Sequence, residues 1–443
     1  MQQEKTILIG TIWYQIFADD HAEVIGCMPF VQEISLLAQA EGVPVTAISE
    51  GAFSGYMELG TVVFPDTLER IGKEAFRGCE KLRELNFPKG LKILEDSCFA
   101  QCFQLREINL PDSLEVIADF AFKDCISLRS VTLRKNCREI SPTAFQECPS
   151  LERFFVTDDN EDFTSDDGIL YNKDMTMLLR CPESRNTPVR LRADMDFLPD
   201  AFDRCMWLPA IYADDDHSMY CSYDNGVLYN KEGTQLVLVP QGRKEPLHLS
   251  ESVTDISERA LDQSFVPVMQ VKGDVIDFAW IDCCSLPRFE VSDYNPAFCD
   301  VDGILYDKEQ TVLIACYGAF KGVLELPDTV TMIDCGAVSG CGSVTGVILP
   351  DTLFLIDNAA FACCTALKEI DIPSGVTAIG DEAFLSCFSL ETVRISNPDT
   401  EIGTDAFLGC LNLTICAPSG STAEEYAQTH EIAFQAWEAS DEA

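Results

Sequence analysis

Residues 105–128 read LREINLPDSLEVIADFAFKDCISL, and this stretch decides the fold. Its first six residues have the Leu-x-x-Leu-x-Leu spacing of leucine-rich repeats, and the alternation at the end of this run predicts a short strand. Pro111-Asp112 then ends the strand and turns the chain, because proline has no backbone N–H to donate to a sheet. We expect the segment from Ala121 to Cys125 to close the coil with a helical or 3₁₀ turn.

An anchor residue, usually phenylalanine, recurs every 23 residues, at Phe53, Phe76, Phe99, Phe122 and Phe145 and again at Val338, Phe361, Phe384 and Phe407. A constant period of this length is the signature of a solenoid, in which each repeat is one unit stacked on its neighbours. The sequence therefore predicts an α/β-type leucine-rich repeat solenoid. We expect a right-handed superhelix of mainly short parallel strands, one in each coil, with short helical or 3₁₀ turns. Irregularly spaced anchors continue the pattern at Phe202, Leu261 and Trp280.

Ten of the 21 cysteines occupy one position of the repeat, three residues after the anchor: Cys79, Cys102, Cys125, Cys148, Cys205, Cys283, Cys341, Cys364, Cys387 and Cys410. Free cysteine is small, apolar and often buried, so a column of packed thiols is expected. Zinc or disulfide ladders are the alternative, but the chain has no Cys-x-x-Cys pair and only four histidines. The pattern favours a reducing compartment.

Residues 65–82, PDTLERIGKEAFRGCEKL, show the full repeat pattern. This pattern resembles the BspA-type leucine-rich repeat family of bacteria and some protists, over residues from about 45 to 415. The resemblance implies a cell-surface or secreted binding and adhesion module, and it brings no catalytic residues. Residues 1–9 do not have the pattern of a signal peptide, and no apolar run is long enough to span a membrane. The location therefore stays open between the cytoplasm and the cell surface.

Three inserts interrupt the period and share a motif, at Asp167–Lys173, Asn225–Lys231 and Asp302–Lys308. Their Asp-Gly or Asn-Gly pairs favour tight turns, and we interpret each insert as a small β-meander that projects from the solenoid. The predicted organisation is an N-terminal hairpin cap over 1–44, a solenoid over 45–418 and a C-terminal helical cap and tail over 419–443. The inserts lie near 157–188, 214–245 and 292–321.

The chain is strongly acidic, with 31 lysines and arginines against 73 aspartates and glutamates and a formal net charge of −42. Such a surface disfavours nucleic acid and anionic lipid and favours a cationic protein or peptide. No motif of a hydrolase, phosphate loop or zinc protease is present, and we expect no enzyme activity, cofactor or metal. The acidic loop 158–162 is similar to the start of a calcium loop, but it lacks the glycine and the final glutamate.

Binding is expected on the concave sheet face, where the residues two and four after the leading leucine of each strand point outward. The candidate binding residues are Glu84, Asn86, Glu107, Asn109, Ser130, Thr132, Arg153, Phe155, Arg288, Glu290, Ile348, Glu369, Asp371 and Arg394. Phe155 and Ile348 are unexpected on a polar face, and an aromatic beside an arginine is typical of binding hot spots. The alternative to a binding role is that nearby inserts cover these two residues.

We interpret the chain as a non-enzymatic scaffold that binds a protein or peptide through this face and the inserts. An exported cell-surface adhesin and an enzyme with a pocket at an insert are the two alternatives. The sequence leaves the partner and the oligomeric state open.

Overall fold

Most regular coils contain two short strands, one on either side of the turn that follows the first strand, where the sequence predicts one. In the coil quoted above, the first covers Glu107–Asn109 and the second Val116–Ile117. The computed structural model describes residues 4–257, 259–262, 264, 266–272 and 286–437. The predicted anchor Trp280, its cysteine Cys283 and the tail after Trp437 lie outside the described residues.

The chain divides into two units, Met1–Leu208 and Pro209–Ala443. The described strands of the first unit are β1 (Lys5–Ile9), β2 (Ile12–Ile16), β3 (Ala22–Cys27), β4 (Glu33–Ser35), β5 (Gln39–Ala40), β6 (Val43–Ile48), β7 (Thr61–Val63), β8 (Arg70–Ile71), β9 (Ile93–Leu94), β10 (Glu107–Asn109), β11 (Val116–Ile117), β12 (Ser130–Leu133), β13 (Glu139–Ile140), β14 (Arg153–Val156), β15 (Phe163–Asp166), β16 (Ile169–Asn172), β17 (Met177–Arg180), β18 (Val189–Leu191) and β19 (Asp196–Phe197).

The second unit contains β20 (Ile211–Ala213), β21 (Tyr220–Tyr223), β22 (Val227–Asn230), β23 (Gln235–Leu238), β24 (Leu247–His248), β25 (Asp255–Ile256), β26 (Val268–Val271), β27 (Arg288–Val291), β28 (Phe298–Val301), β29 (Ile304–Asp307), β30 (Val312–Ala315), β31 (Gly322–Glu325), β32 (Met332–Ile333), β33 (Val344–Ile348), β34 (Leu355–Ile356), β35 (Glu369–Ile372), β36 (Ala378–Ile379), β37 (Thr392–Ile395), β38 (Glu401–Ile402), β39 (Thr414–Pro418), the helix α1 (Thr422–Thr429) and β40 (Ala433–Trp437).

The strands of successive coils pair in parallel to form two kinds of sheet. First strands form one sheet of the first unit, in the order β10-β12-β14, and another of the second unit, in the order β31-β33-β35-β37-β39-β40. The second-strand sheet continues from β6 through β8, β9, β11 and β13, with Ile71, Leu94 and Ile117 as successive partners. This constant register follows from the 23-residue period, so the predicted solenoid of short parallel strands is confirmed.

The anchors stack as predicted. The ring centroids of Phe76 and Phe99 are 5.1 Å apart with the planes within 1° of parallel, and those of Phe361 and Phe384 are 5.2 Å apart. Most anchors donate their N–H to a carbonyl of the next coil; for example, the Phe76 N–H donates to the Cys98 carbonyl at 2.8 Å. The column is therefore held by packing and by backbone hydrogen bonds.

The turn that carries each anchor differs from the predicted helical or 3₁₀ turn. Backbone bonds of the i→i−3 type do occur, as from Cys79 to Phe76 at 3.1 Å. Glu74 and Gly78, however, have positive φ values of 54° and 72°. Left-handed residues on both sides of the anchor interrupt a helix, so the segment is a series of tight turns. Among the described residues α-helix is confined to α1.

Both ends of the repeats are covered by non-repeat structure. At the start, β1, β2 and β3 form an antiparallel meander, and β3 pairs in parallel with β6. At the other end, Ser421 caps α1 by accepting from the Glu424 N–H, and the Tyr426 ring packs edge-on against Phe407 at 5.9 Å. These elements bury apolar faces that a terminal coil exposes. No helix in the described parts of the chain is long and apolar enough to cross a bilayer.

The inserts are meanders, as predicted, but they do not only project from the solenoid. The third strand of each meander takes the place of a second strand: β17 pairs in parallel with β19, β23 with β25 and β30 with β32. The residue after β17, Cys181, donates its N–H to Ala201 at 2.8 Å, as a phenylalanine anchor does. Each insert is therefore part of a coil. The sequence concealed this because cysteine or valine replaces phenylalanine at the anchor.

Candidate binding face and groove

The candidate binding residues lie at alternate positions of the first strands, except that Glu84 and Asn86 lie in a coil whose first strand is reduced to a bridge between Asn86 and Val63. In the first unit Glu107, Ser130 and Arg153 are partners in successive strands, as are Asn109, Thr132 and Phe155. In the second unit Asp371 and Arg394 are partners. The exposed members of the set are Glu84, Asn86, Glu107, Asn109, Arg153, Phe155, Arg288, Glu290, Ile348, Glu369 and Asp371, while Ser130, Thr132 and Arg394 are half-buried.

The charges on this face are paired differently in the two units. In the second unit, Arg394 contacts Asp371 at 2.7 Å and Glu369 at 3.5 Å. In the first unit, Glu84 and Glu107 have no ion-pair partner within the described residues. The carboxylates of Glu84 and Glu107 are therefore available to a partner, whereas those of Glu369 and Asp371 are already paired.

A column of arginines, which sequence reasoning missed, runs beside the acidic residues of the first unit. Arg83, Arg106 and Arg129 are 23 residues apart, each one position before a candidate residue, and all three are exposed. Arg83 donates to Gln104 at 2.8 Å, and no carboxylate of the described chain pairs with the three guanidinium groups. The 23-residue spacing itself was the signal that could have found them.

The column and the candidate row both end at a cavity of about 860 Å³ in the first unit. One wall comes from the first strands and includes Arg129, Arg153 and Phe155, and the other comes from the first insert and the segment 184–187. We call this cavity the arginine groove. It contains Arg153 and Phe155, the arginine and the aromatic residue that the sequence suggests as a binding hot spot.

The first insert builds the groove by covering the edge of β14. The Phe154 N–H donates to the Gly168 carbonyl at 2.9 Å, and the Val156 N–H donates to the Ser165 hydroxyl at 3.1 Å. Gly168 has a φ of +80°, and a Cβ atom there would lie 2.8 Å from the Arg153 Cβ. Only glycine lets the insert approach so closely. The other inserts repeat the contact, from Ile211 to Gly226 at 2.8 Å and from Phe289 to Gly303 at 3.0 Å.

The insert leaves Phe155 accessible. Its side chain is 47% exposed, so the alternative in which the insert covers it is wrong for this residue. The Arg153 guanidinium carbon lies 5.9 Å from the Phe155 ring centroid, within reach of a cation–π interaction. Ile348, on the first strands of the second unit, is 53% exposed.

The groove is electropositive although the chain is strongly acidic. Its charged lining consists of Arg129, Arg153 and Arg185 with Glu152 and Asp167, so arginines outnumber carboxylates. Arg185 is nearly buried and is used internally, donating to the Asp167 carboxylate at 2.7 Å and to its carbonyl at 2.8 Å. Arg153 contacts its chain neighbour Glu152 at 3.6 Å. The guanidinium groups of Arg129 and Arg153 are therefore the ones presented to solvent.

The acidic loop 158–162, which is similar to the start of a calcium loop, is bound by a lysine of the first insert. The ammonium of Lys173 donates to the carbonyls of Asp158 and Asn160. An ammonium group takes up carbonyl oxygens that a cation would need. Within the described residues no three His, Cys, Asp or Glu side chains cluster as a metal site.

The cysteine column consists of free, buried thiols wherever it is described. Cys79 donates to the Phe53 carbonyl at 3.2 Å and Cys125 to the Phe99 carbonyl at 3.3 Å, so each thiol contacts the anchor one coil back. Burial raises the pKa of the Cys79 thiol to about 12 and also raises the pKa values of Cys102 and Cys125. These thiols are unreactive structural groups.

Comparison with known proteins supports this architecture. The family model described as BspA type leucine rich repeat region matches six copies over residues 46–170 and 310–418, more than half of the chain. No curated protein matches significantly. The crystal structure of a leucine rich cell surface protein from Faecalibacterium prausnitzii is similar, with 19% identity, coverage of 96% of this chain and 98% of that chain, and a TM-score of 0.38.

Two further crystal structures are similar. One is a leucine-rich repeat protein from Eubacterium ventriosum, with 17% identity, coverage of 87% and 95%, and a TM-score of 0.47. The other is the T. pallidum Leucine Rich Repeat protein, with 25% identity, coverage of 46% and 91%, and a TM-score of 0.36. The strand pairing and the family model together show that the chain is a leucine-rich repeat solenoid. It belongs to the BspA type leucine-rich repeat family.

Proposed function

We propose that this protein is a non-enzymatic scaffold that binds a protein or peptide partner on the first-strand sheet of its first unit. The observation that carries the proposal is the register of this face. Strands β10, β12 and β14 place their outward residues in two straight rows, which end at an exposed aromatic beside an arginine. An aromatic and an arginine together are the residues most enriched in binding hot spots.

The partner's approach and its residence depend on different residues. The net charge of −42 favours a cationic partner, and Glu84 and Glu107 present unpaired carboxylates on this face. Charges at the rim of an interface mainly set the association rate, whereas desolvated anchors set the dissociation rate. We therefore expect Glu84 and Glu107 to set the rate of association with the partner, and Arg153 and Phe155 to set the rate of dissociation.

Kinetic binding measurements with a partner recovered from the native host test this division. We expect Glu84→Lys with Glu107→Lys to slow association, and the slowing to shrink as the Debye length falls from about 10 Å at 0.1 M salt to about 3 Å at 1 M. Phe155→Ala should instead speed dissociation. Phe354→Ala is the matched control, because Phe354 is also 47% exposed but lies in the other unit.

The proposal is wrong if the double charge reversal and Phe155→Ala both bind like the parent. In that case the three inserts, around Tyr171, Tyr229 and Tyr306, become the better candidates. The tyrosine rings themselves are buried, so variants there should change the exposed loop residues of the meanders instead.

A further inference from the structure

We infer that the arginine groove recognises a carboxylate on an extended segment of the partner, next to an apolar side chain that rests on Phe155. This inference rests on the proposed function and names the part of the partner that the groove takes. The occupant is a peptide segment with lysines at one end and the carboxylate at the other.

The first observation is the placement of unpaired guanidinium groups. Arg129 has no ion-pair partner within the described chain, and Arg153 has only its exposed neighbour Glu152 at 3.6 Å. Both side chains line a cavity in which arginines outnumber carboxylates, and together they form a site for an anionic group.

The second observation is the geometry of Arg153 and Phe155. The Arg153 guanidinium carbon lies 5.9 Å from the Phe155 ring centroid, and a guanidinium carries several N–H donors in one plane. Those donors match the two oxygens of a carboxylate. Phe155 is 47% exposed, which is enough for its ring to contact an apolar side chain beside the ligand carboxylate.

The third observation is that the groove is prebuilt. Gly168 seals the edge of β14 behind Arg153, and Arg185 holds Asp167 through its carboxylate and its carbonyl. Asp167 is the acidic residue on the far wall, and its exposed carboxylate is paired with Arg185 at 2.7 Å. A ligand carboxylate can therefore approach Arg129 and Arg153 while this ion pair stays in place.

The row of outward residues gives the segment a direction. Glu107, Ser130 and Arg153 are partners in three neighbouring strands, so the charge changes from negative to positive over two strand spacings. This distance is about 10 Å, or roughly three residues of extended peptide. Lysines over Glu107 and Glu84 therefore fit a segment whose carboxylate lies about three residues further along.

The test uses fluorescence polarisation with the full chain and labelled peptides. The first peptide is Lys-Lys-Gly-Phe-Glu-Gly with an amidated C-terminus, the second has Gln in place of Glu, and the third is Lys-Lys-Gly-Ser-Phe with a free C-terminal carboxylate. The first and third peptides distinguish a side-chain carboxylate from a C-terminal one. Soluble polygalacturonate, an acidic polysaccharide, is a competitor that represents the other class of carboxylate ligand.

We expect one of the two carboxylate peptides to bind and the Gln peptide to bind at least about tenfold more weakly. Arg129→Gln, Arg153→Gln and Phe155→Ala should each weaken binding by a similar factor. The controls are Arg138→Gln, an exposed arginine of the second-strand side that pairs with Glu115, and Phe354→Ala; both should leave binding unchanged. Urea denaturation of each variant shows whether it is folded.

The inference is overturned if neither carboxylate peptide binds at about 1 mM, or if the groove variants bind like the controls. It is also overturned if polygalacturonate binds through Arg129 and Arg153 while the peptides do not. Each of these results leaves the proposed function standing when Phe155→Ala still speeds dissociation of the native partner. The proposed function is wrong as well if Phe155→Ala and the double charge reversal of Glu84 and Glu107 both bind the native partner like the parent.

Discussion

At the residue scale, the anchors and the cysteines explain why the period is so regular. Each phenylalanine is fully or almost fully buried between the rings of its neighbours. Each column cysteine fits beside the anchor and donates to the carbonyl of the anchor one coil back, as Cys125 does to Phe99. A larger residue would overpack this space, so the small thiol recurs.

Replacing Phe99 with alanine should lower the free energy of unfolding by about 3–5 kcal/mol, as for other buried aromatics. The reason is the loss of two stacked contacts, at 5.1 Å to Phe76 and 5.5 Å to Phe122. Urea denaturation measures the change. Phe354→Ala, at a site that is 47% exposed, should cost less than about 1 kcal/mol. Equal costs for the two variants would show that the anchors do not form the core.

The thiols should react slowly with a small alkylating agent in the native protein and completely after unfolding. Cys335 and Cys363 are exposed and provide the fast-reacting control. The described column cysteines are buried, and burial raises the pKa of thiols such as Cys102 and Cys125, so little of these two is reactive thiolate at neutral pH. Mass spectrometry of the alkylated peptides reads the two classes. Thiols that appear only after reduction would contradict this expectation and favour a disulfide-bonded form.

The same thiols predict how stability depends on alkaline pH. The pKa of Cys79 is raised from 9.0 to about 12 by burial, so the unfolded chain releases this proton at a lower pH than the folded chain. The contribution is therefore fully present below pH 9 and is lost as the pH rises towards 12. Urea denaturation at pH 8 and pH 10 should show a smaller loss for the triple variant Cys79→Val, Cys102→Val, Cys125→Val than for the parent. If the triple variant loses as much stability between pH 8 and pH 10 as the parent, or more, groups other than these thiols cause the loss.

At the scale of the element, the first strands were predictable and the second strands were not. A first strand such as β12 alternates over four residues, which is enough to show period two. A second strand such as β11 contains two residues, too few for any periodicity. Its existence depends on the stacking of whole coils. The meanders were predictable from their turns, but their place within a coil was not, because Cys181 stands where phenylalanine was expected.

Gly168→Ala tests whether the insert is held against β14. Both this variant and the control Gly336→Ala place alanine at a positive φ, of 80° and 66°, which costs roughly 1–2 kcal/mol. Only at Gly168 does the new Cβ also clash, at 2.8 Å from the Arg153 Cβ, whereas Gly336 has open space. Denaturation should therefore show a larger loss for Gly168→Ala. Equal losses would mean that the insert moves away from the strand without cost.

At the scale of the molecule, the sequence placed half of the candidate site and missed the other half. Arg153 and Phe155 follow from strand alternation. Asp167 and Arg185 reach the same groove from the insert and from the segment after it, and nothing in their local sequence indicates that position. The 23-residue spacing of Arg83, Arg106 and Arg129 is visible in the sequence, although the chain as a whole has a net charge of −42.

We expect a partner protein or peptide to contact Phe155 on the first-strand sheet of the first unit. The most direct measurement replaces Phe155 with the photo-crosslinking amino acid benzoylphenylalanine and irradiates the protein in the presence of host lysate. The matched variant carries the same group at Phe354, which is equally exposed. We predict a discrete adduct at position 155 that is absent at position 354 and is lost when Arg153→Gln is added. The same adducts at both positions, or none at position 155, would contradict the account.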